Sequence, residues 1–280
     1  MVYQRKLVEE VSGWLRIFDD GWVDRTWTGP PEVKFMSEPV PPHEEFIEGV
    51  ATRDVGSSNS VSVYLRLAPE HRLPAAIDDG FSALMWLRAL ARGDDSYEPW
   101  LSNHGDFNRV FLIGDSSGAN LVHHVAARAG QVDLSPVRLA GGIPVHPGFV
   151  RSERSKSEME QPESPFLTLD MVDRFLKLAL PKGCSKDHPF TCPMGPAAPP
   201  LDNLNLPPFL LCVAETDLIR DTEMEYYEAM KKADKDVELL INPGVGHSFY
   251  LNKIAVDMDP NTAAQTTALL EGIVEFIKKH

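Results

Sequence analysis

Along this chain of 280 residues, apolar positions fall into a succession of strand-like and helix-like patterns. The first 45 residues open on a short helical pattern. Two apolar runs, Trp14-Leu-Arg-Ile-Phe18 and Trp22-Val23, then flank Asp20-Gly21. That pair predicts a hairpin with a type I′ turn, which needs positive φ at both central positions. A proline-rich extended stretch follows, Gly29-Pro-Pro31 and Pro39-Val-Pro-Pro42. Val61-Ser-Val-Tyr-Leu65 alternates like a strand. Pro74 to Ala91 reads as a helix with Phe81, Leu84, Leu87 and Ala91 on one face. Val110-Phe-Leu-Ile113 is a continuous apolar run, the pattern of a strand buried on both faces, and Leu121, Val122, Val125, Ala126 and Ala129 continue it as a helix. Phe209 to Ala214 and Val237 to Ile241 read as further buried strands. Thr222 with Glu225 predicts a capping box opening a helix at about Glu223. Leu269, Leu270, Ile273, Val274 and Ile277 form the apolar stripe of a C-terminal helix.

This alternation predicts one α/β domain over residues 1–280, a mostly parallel, doubly wound sheet with helices on both faces. Between Arg151 and Pro208 the pattern changes. Polar residues lead, a helix runs from about Leu169 to Leu180, and eight prolines fall between Pro181 and Pro208. Residues 1–45 and about 151–200 are expected to form a cap over one end of the sheet.

Composition narrows the function classes. Lys and Arg total 27 against 41 Asp and Glu, a formal net charge of −14. Such a surface repels phosphate backbones and anionic headgroups, so neither nucleic acid nor membrane is expected as a partner. No window approaches the roughly 20 apolar residues of a membrane helix. Acidic residues stand where a signal peptide needs an apolar run, and no C-terminal targeting tripeptide is present, so a cytoplasmic location is expected. Three cysteines, Cys184, Cys192 and Cys212, give no disulfide framework. Cys184, His188 and Cys192 lack a fourth ligand at zinc-like spacing, so neither metal nor cofactor is expected.

The candidate chemistry starts at Gly114-Asp-Ser116-Ser-Gly118, a G-x-S-x-G between a buried strand and a helix. That context suits a nucleophile elbow: small flanking residues let the chain turn sharply and leave Ser116 Oγ exposed at the strand's carboxyl end. The helix N-terminus, starting with the Ser117 N–H, faces a developing oxyanion. A hydroxyl nucleophile needs a base and an orienting acid. His247 lies in a glycine-bearing loop after the 237–241 strand, and Asp217 just beyond the 209–214 strand. Sites in open α/β sheets lie at the strands' carboxyl ends. Asp221 is the alternative acid, but near a helix N-cap it already has a structural task. His123 and His124 are expected to divide between packing and solvent, and His146 to be a loop hydrogen-bonder. His71 belongs with charged neighbours in a turn.

Together these residues resemble the plant carboxylesterases of the hormone-sensitive-lipase group of α/β-hydrolases. Arg66-Leu-Ala-Pro-Glu-His-Arg-Leu-Pro-Ala-Ala76, Gly114-Asp-Ser-Ser-Gly118, Asp217-Leu-Ile-Arg-Asp221 and Gly246-His247-Ser-Phe are similar to that group's blocks. Val11-Ser-Gly-Trp-Leu-Arg-Ile-Phe18 and Trp27-Thr-Gly-Pro-Pro31 look closest to its hypersensitivity-related serine hydrolase branch. The resemblance implies an α/β-hydrolase fold and hydrolysis of a small apolar or phenolic ester, with Ser116 as nucleophile, His247 as base then acid, and Asp217 as orienter. The gibberellin receptor shares the fold but has lost the histidine, so His247 disfavours a pure receptor. The dehydratase offshoot includes members with a threonine nucleophile, so Ser116 favours hydrolysis over a lyase reaction.

One departure stands out. The group's His-Gly-Gly-Gly segment, source of most oxyanion-hole N–H groups, is missing. The chain passes from Thr52-Arg-Asp-Val-Gly-Ser-Ser-Asn-Ser60 into Val61, where relatives have about 50 further residues. The apparent deletion near residues 55–61 would remove the strand beside the nucleophile strand and leave Ser117 N–H as the sole oxyanion donor. Either residues of the parent protein are missing from this chain or it is a shortened isoform. The second case predicts a weak or dead esterase.

Overall fold

A computed structural model describes residues 5–30, Lys34, 60–94, 99–164 and 167–280. The expected proline-rich stretch at Pro39–Pro42 and residues 52–59 of the apparent deletion lie outside the described residues. The elements in chain order are β1 (Leu7–Val11), β2 (Leu15–Phe18), β3 (Val23–Asp24), α1 (Ala75–Arg92), α2 (Pro99–His104), β4 (Val110–Asp115), α3 (Ser117–Ala129) and β5 (Leu139–Val145). They continue with α4 (Lys156–Glu160), α5 (Leu169–Ala179), β6 (Phe209–Ala214), α6 (Arg220–Lys232), β7 (Val237–Asn242), α7 (Lys253–Met258) and α8 (Pro260–Lys279).

Strands β4-β5-β6-β7 form a parallel sheet in sequence order, with helices on both faces as the alternation predicts. The central strand β6 shows how. Phe209, Leu211 and Val213 pack with Val122 and Ala126 of α3 and Tyr226 and Met230 of α6. Leu210, Cys212 and Ala214 pack on the other face with Leu269 and Phe276 of α8. Period-2 alternation between two apolar layers explains why β6 is buried at all six positions.

Strand β5 is shaped by its glycines. A Cβ on Gly141 would lie 2.8 Å from the Phe276 ring and 2.9 Å from that of Phe111, and one on Gly142 would lie 2.6 Å from the Phe209 ring. The aromatic rings therefore occupy the space that side chains would otherwise fill.

The strand leading to Ser116 departs from expectation. β4 pairs only with β5 among the described residues and forms the sheet's edge, and Ile113 is 59% exposed rather than buried on both faces. The strand expected at Val61–Leu65 is not formed: residues 61–66 are irregular, and Tyr64 is 99% exposed. Alternation gives a strand its inward face, but a ladder also needs a partner edge, and none is described beside this segment.

At the N-terminus, the expected short helical pattern is instead strand β1, because Leu7–Val11 pairs with β2. The Asp20-Gly21 hairpin forms between β2 and β3, but not as a type I′ turn. Phe18 N–H donates to Trp22 O at 3.0 Å, and Gly21 takes positive φ (81°) while Asp20 does not. The loop thus has three residues with glycine in the left-handed position. This small sheet buries Val11 and Leu15 against Met171 and Leu178 of α5. The turn at residues 66–74 is held by Arg25–Glu70 and Arg66–Asp79 pairs, and by Arg72 donating to the carbonyls of Lys177 and Leu180.

Two helix ends differ from the sequence signals. α6 starts at Arg220, so Thr222 lies inside its first turn and donates its hydroxyl to Phe149 O and Ile219 O, while Glu225 pairs with Arg151. The capping box observed in this half of the chain is Ser155 with Glu158, opening α4. In α8 the inward face is Leu269, Ile273 and Phe276, whereas Leu270 and Val274 are 58% and 46% exposed. Leu269, Ile273 and Phe276 follow i, i+4, i+7 spacing, and the other two sit one residue, about 100°, around the helix. No helix among the described residues is long and apolar enough to cross a membrane.

Candidate active site

β4 turns into α3 at Ser116, whose φ of 53° and ψ of −117° place it in a sparsely populated region. Non-glycine residues hold such a conformation only when their surroundings enforce it, at about 1–3 kcal/mol. Here Ser116 N–H donates to Val145 O at 2.9 Å, and Ser116 O accepts from Gly148 N–H at 3.1 Å. Gly114 is obligatory, since a Cβ there would lie 2.3 Å from Gly118 O. The second glycine is not: nothing lies within 4 Å of a Cβ on Gly118. The small-residue expectation therefore holds on the strand side of the serine only.

The carboxyl ends of β6 and β7 bring the other two predicted residues to Ser116. Asp217 is fully buried. Its Oδ1 accepts the Ile219 N–H at 3.0 Å, and its Oδ2 lies 2.6 Å from His247 Nδ1. His247 Nε2 lies 2.9 Å from Ser116 Oγ. With Nδ1 donating to the carboxylate, Nε2 is the acceptor for the serine hydroxyl. Burial alone would lower the His247 pKa, but the Asp217 charge, its hydrogen bond and the Asp115 charge together raise it above the ordinary value. Asp221 does not reach His247. It accepts the Ser157 N–H at 2.7 Å and pairs with Arg220 at 2.8 Å, the structural task expected near a helix start.

Ser117 opens α3, so its N–H has no intrahelical acceptor and faces the elbow. The other glycine beside Ser116, Gly148, already gives its N–H to Ser116 O. Gly141-Gly142 is spent on packing inside β5, and His104-Gly105 ends a helix away from the elbow. Among the described residues, the Ser117 N–H at the start of α3 is the group the sequence reading named as oxyanion donor.

The remaining histidines separate. His123 is buried, its Nδ1 2.8 Å from Tyr226 Oη. His124 is not solvated as expected. It is partly buried against Phe190, its Nε2 lies 3.3 Å from Phe190 O, and burial lowers its pKa to about 4. His146 is a loop hydrogen-bonder, as read from the sequence: Nδ1 accepts the Ser248 N–H at 2.9 Å.

The sequence reading did not pick out Asp115, Ser248 or Tyr250, though Asp115 is the middle of the Gly114–Ser116 turn. Asp115 accepts from Ser248 Oγ at 2.9 Å and from Tyr250 Oη. A carboxylate closing an apolar strand, directly before Ser116, was the available signal. Glu223 is fully buried behind Asp217, and neither of its oxygens has a partner. Burial, then the charges of Asp217 and Asp115, push its pKa well above the ordinary range.

For a metal, the donor group that comes together among the described residues is His146, Asp217 and His247, not Cys184, His188 and Cys192. Its donors are committed to one another and to Ser248 N–H, which suits proton handling better than ligation.

Residues 35–251 match a family model described as the alpha/beta hydrolase fold. A gibberellin receptor of Arabidopsis thaliana is 38% identical over 192 residues, covering 68% of this chain and 53% of that protein. A tuliposide A-converting enzyme of Tulipa gesneriana is 35% identical over 214 residues, covering 76% of this chain and 53% of the enzyme. The chain spans about half the length of these curated relatives. Among solved structures, an esterase of Pyrobaculum calidifontis superposes with a TM-score of 0.61 at 25% identity, covering 77% of this chain and 64% of that one.

Proposed function

The chain belongs to the alpha/beta-hydrolase family, and from that premise we propose that it is a carboxylic-ester hydrolase working through an acyl-Ser116 intermediate on a small apolar or phenolic ester. The observation that carries this reading is the run of contacts from Ser116 Oγ to His247 Nε2 at 2.9 Å and from His247 Nδ1 to Asp217 Oδ2 at 2.6 Å. As Ser116 attacks the ester carbonyl, His247 takes its proton and becomes an imidazolium, which Asp217 stabilises without itself being protonated. His247 then returns the proton to the departing alkoxide. In the second half-reaction it deprotonates the water that releases the acid. The tetrahedral oxyanion lies against Ser117 N–H. Losing one oxyanion donor costs about 10²–10³ in kcat, so a chain with only this donor is a slow esterase.

In this reading the described residues 5–30 and about 151–200 cap the site, the chain belongs with the hypersensitivity-related branch, and the setting is cytoplasmic. The net charge of −14 fits a small-molecule partner better than a nucleic acid or an anionic membrane. A second reading, a small-molecule receptor on the same fold, draws on the receptor relative and on there being one candidate oxyanion donor among the described residues. Incubation with an alkyl phosphonate separates the two. An adduct on Ser116, abolished by Ser116→Ala and accompanied by p-nitrophenyl ester turnover, supports the hydrolase; an unlabelled serine with tight ligand binding supports the receptor. Product analysis on a hydroxylated phenolic, giving water loss with no acid released, would instead identify a lyase.

A further inference from the structure

The residue after the base is bolted to two strands. Ser248 has a φ of 49°, a left-handed conformation that an L residue holds only under constraint. Its N–H donates to His146 Nδ1 at 2.9 Å, and its hydroxyl donates to both oxygens of Asp115, at 2.9 and 3.0 Å. Tyr250 adds its hydroxyl to the same carboxylate. Asp115 ends β4, directly before Ser116, and His146 directly follows β5. The His146 backbone is itself pinned, with a φ of 45° and its N–H on Cys212 O at 2.9 Å. The His146 ring lies 5.8, 5.7 and 5.9 Å from the rings of His247, Phe249 and Tyr250.

We propose that His146 and Asp115 are positioning residues that hold the His247 loop in register with Ser116 through Ser248 and Tyr250. This rests on the reading of His247 as the base, because β7 supplies His247 on a loop of its own. Thr216 N–H on Val245 O and Asp217 on His247 tie the loop to the β6 end, and its distance from Ser116 on β4 depends as well on what ties it back to β4 and β5. A misplacement of 1 Å at a reacting group can cost about 10²-fold in rate.

The chemistry of each group matches the task. To accept the Ser248 N–H, His146 must keep Nδ1 unprotonated, and burial holds its pKa at about 3. It therefore stays an acceptor across any assay range, with its proton on Nε2, which is buried without a partner. Burial and the Asp115 charge keep the Tyr250 phenol protonated, so it remains a donor. The groups facing His247 are Asp217 from the β6 loop, Asp115 from β4, His146 from β5 and Tyr250 from its own loop. Glu223 of α6 faces Asp217 and Asp115 from behind. Asp115 therefore contributes charge as well as geometry: as a carboxylate it favours the imidazolium that forms during the reaction.

The test compares His146→Leu, His146→Asn and Asp115→Asn in the full chain, by ester kinetics and by the downfield imidazole Nδ1–H proton NMR signal of His247. His146→Leu is expected to lower kcat about 100-fold with KM within about threefold, and to broaden the His247 signal. His146→Asn, whose Oδ1 can stand in for Nδ1, is expected to regain at least about tenfold of that loss. Asp115→Asn is expected to lower the His247 titration midpoint by about half a pH unit or more, because a neighbouring negative charge is gone. Folded His146→Leu and Asp115→Asn variants with an unchanged His247 signal and midpoint overturn the proposal. Should His146→Leu fail to fold, the Asp115→Asn midpoint decides by itself. A parent chain with neither ester turnover nor phosphonate labelling sinks the hydrolase reading instead, and the NMR comparison still decides whether these residues position His247.

Discussion

Replacing Asp217 with Asn changes a few atoms and separates the two acids that the sequence offered. The Asn Oδ1 can keep the Ile219 N–H bond, now 3.0 Å, so the β6 end should retain its shape. The oxygen facing His247 Nδ1 at 2.6 Å becomes an NH₂. With charge centres about 4 Å apart and an effective dielectric of about 20, the lost imidazolium–carboxylate attraction is about 4 kcal/mol, some three decades in rate. The NH₂ also donates to Nδ1 and pushes the imidazole proton onto Nε2, where it blocks acceptance from Ser116 Oγ. The expected loss is about 10³–10⁴ in kcat, with KM within about threefold, since the imidazolium exists only on the reaction path. Asp221→Asn is the control. It weakens the bonds to Ser157 N–H and Arg220, which should cost about 1 kcal/mol of stability and change kcat by less than about threefold. Turnover of p-nitrophenyl acetate by variants with parental circular dichroism measures both, and the rate of phosphonate labelling at Ser116 reads the same proton relay where turnover is slow. A loss below about tenfold for Asp217→Asn, or a larger loss for Asp221→Asn, would refute the assignment.

Three further outcomes are expected. The net rise in the His247 pKa keeps the imidazolium to a higher pH, and the base must be neutral, so the acid limb of kcat/KM should have its midpoint above the ordinary histidine value of about 6.5. A pH–rate profile with a midpoint below that contradicts the electrostatics. Gly114→Ala places a Cβ 2.3 Å from Gly118 O, a backbone atom that cannot give way, whereas Gly118→Ala meets nothing within 4 Å. Thermal unfolding should show a large loss for the first, about 3 kcal/mol or more, and less than about 1 kcal/mol for the second. Glu223→Gln tests the buried acid. With its folded pKa raised, Glu223 holds a proton that the unfolded chain releases above about pH 4.3, so it destabilises the fold as pH rises past that value. The variant should therefore gain stability over the parent at pH 7 and lose that advantage below pH 4; an equal difference at both pH values in denaturant titrations would refute the raised pKa.

Much of the site was legible because its residues follow strong local signals. Ser116, Asp217 and His247 each stand just past an apolar run that forms a strand, and the strands' carboxyl ends converge by topology. Other features depended on partners that periodicity does not name. Strand β5 reads Leu-Ala-Gly-Gly-Ile-Pro-Val, poor in strand propensity, and exists because three phenylalanine rings fill the space above its glycines. Val61–Leu65 shows the converse, a good alternating pattern that pairs with no strand among the described residues. Thr222 and Glu225 have capping-box spacing, yet the helix starts earlier and gives both side chains other partners. Asp115 was hidden inside its own motif, because the pentapeptide fixes its place but not the Ser248 and Tyr250 hydroxyls that meet it.

The division of labour across the sheet explains why relay and rate are separable here. The groups proposed to move or hold the proton come from the carboxyl ends of β4 to β7, which are joined to one another in one parallel ladder. In the proposed reaction, stabilisation of the oxyanion falls to the other side of β4, where the strand is an edge among the described residues and Ile113 is 59% exposed. Among the described residues, the Ser117 N–H at the start of α3 is the donor proposed there, aided by the positive end of that helix's dipole. A relay without a complete oxyanion site can still deprotonate Ser116, but the proposed tetrahedral intermediate then gains less from charge stabilisation. In the proposed reaction the limit is therefore charge stabilisation and not the nucleophile. Substrates with a good leaving group, which need least help at the oxyanion, should retain the largest share of their rate.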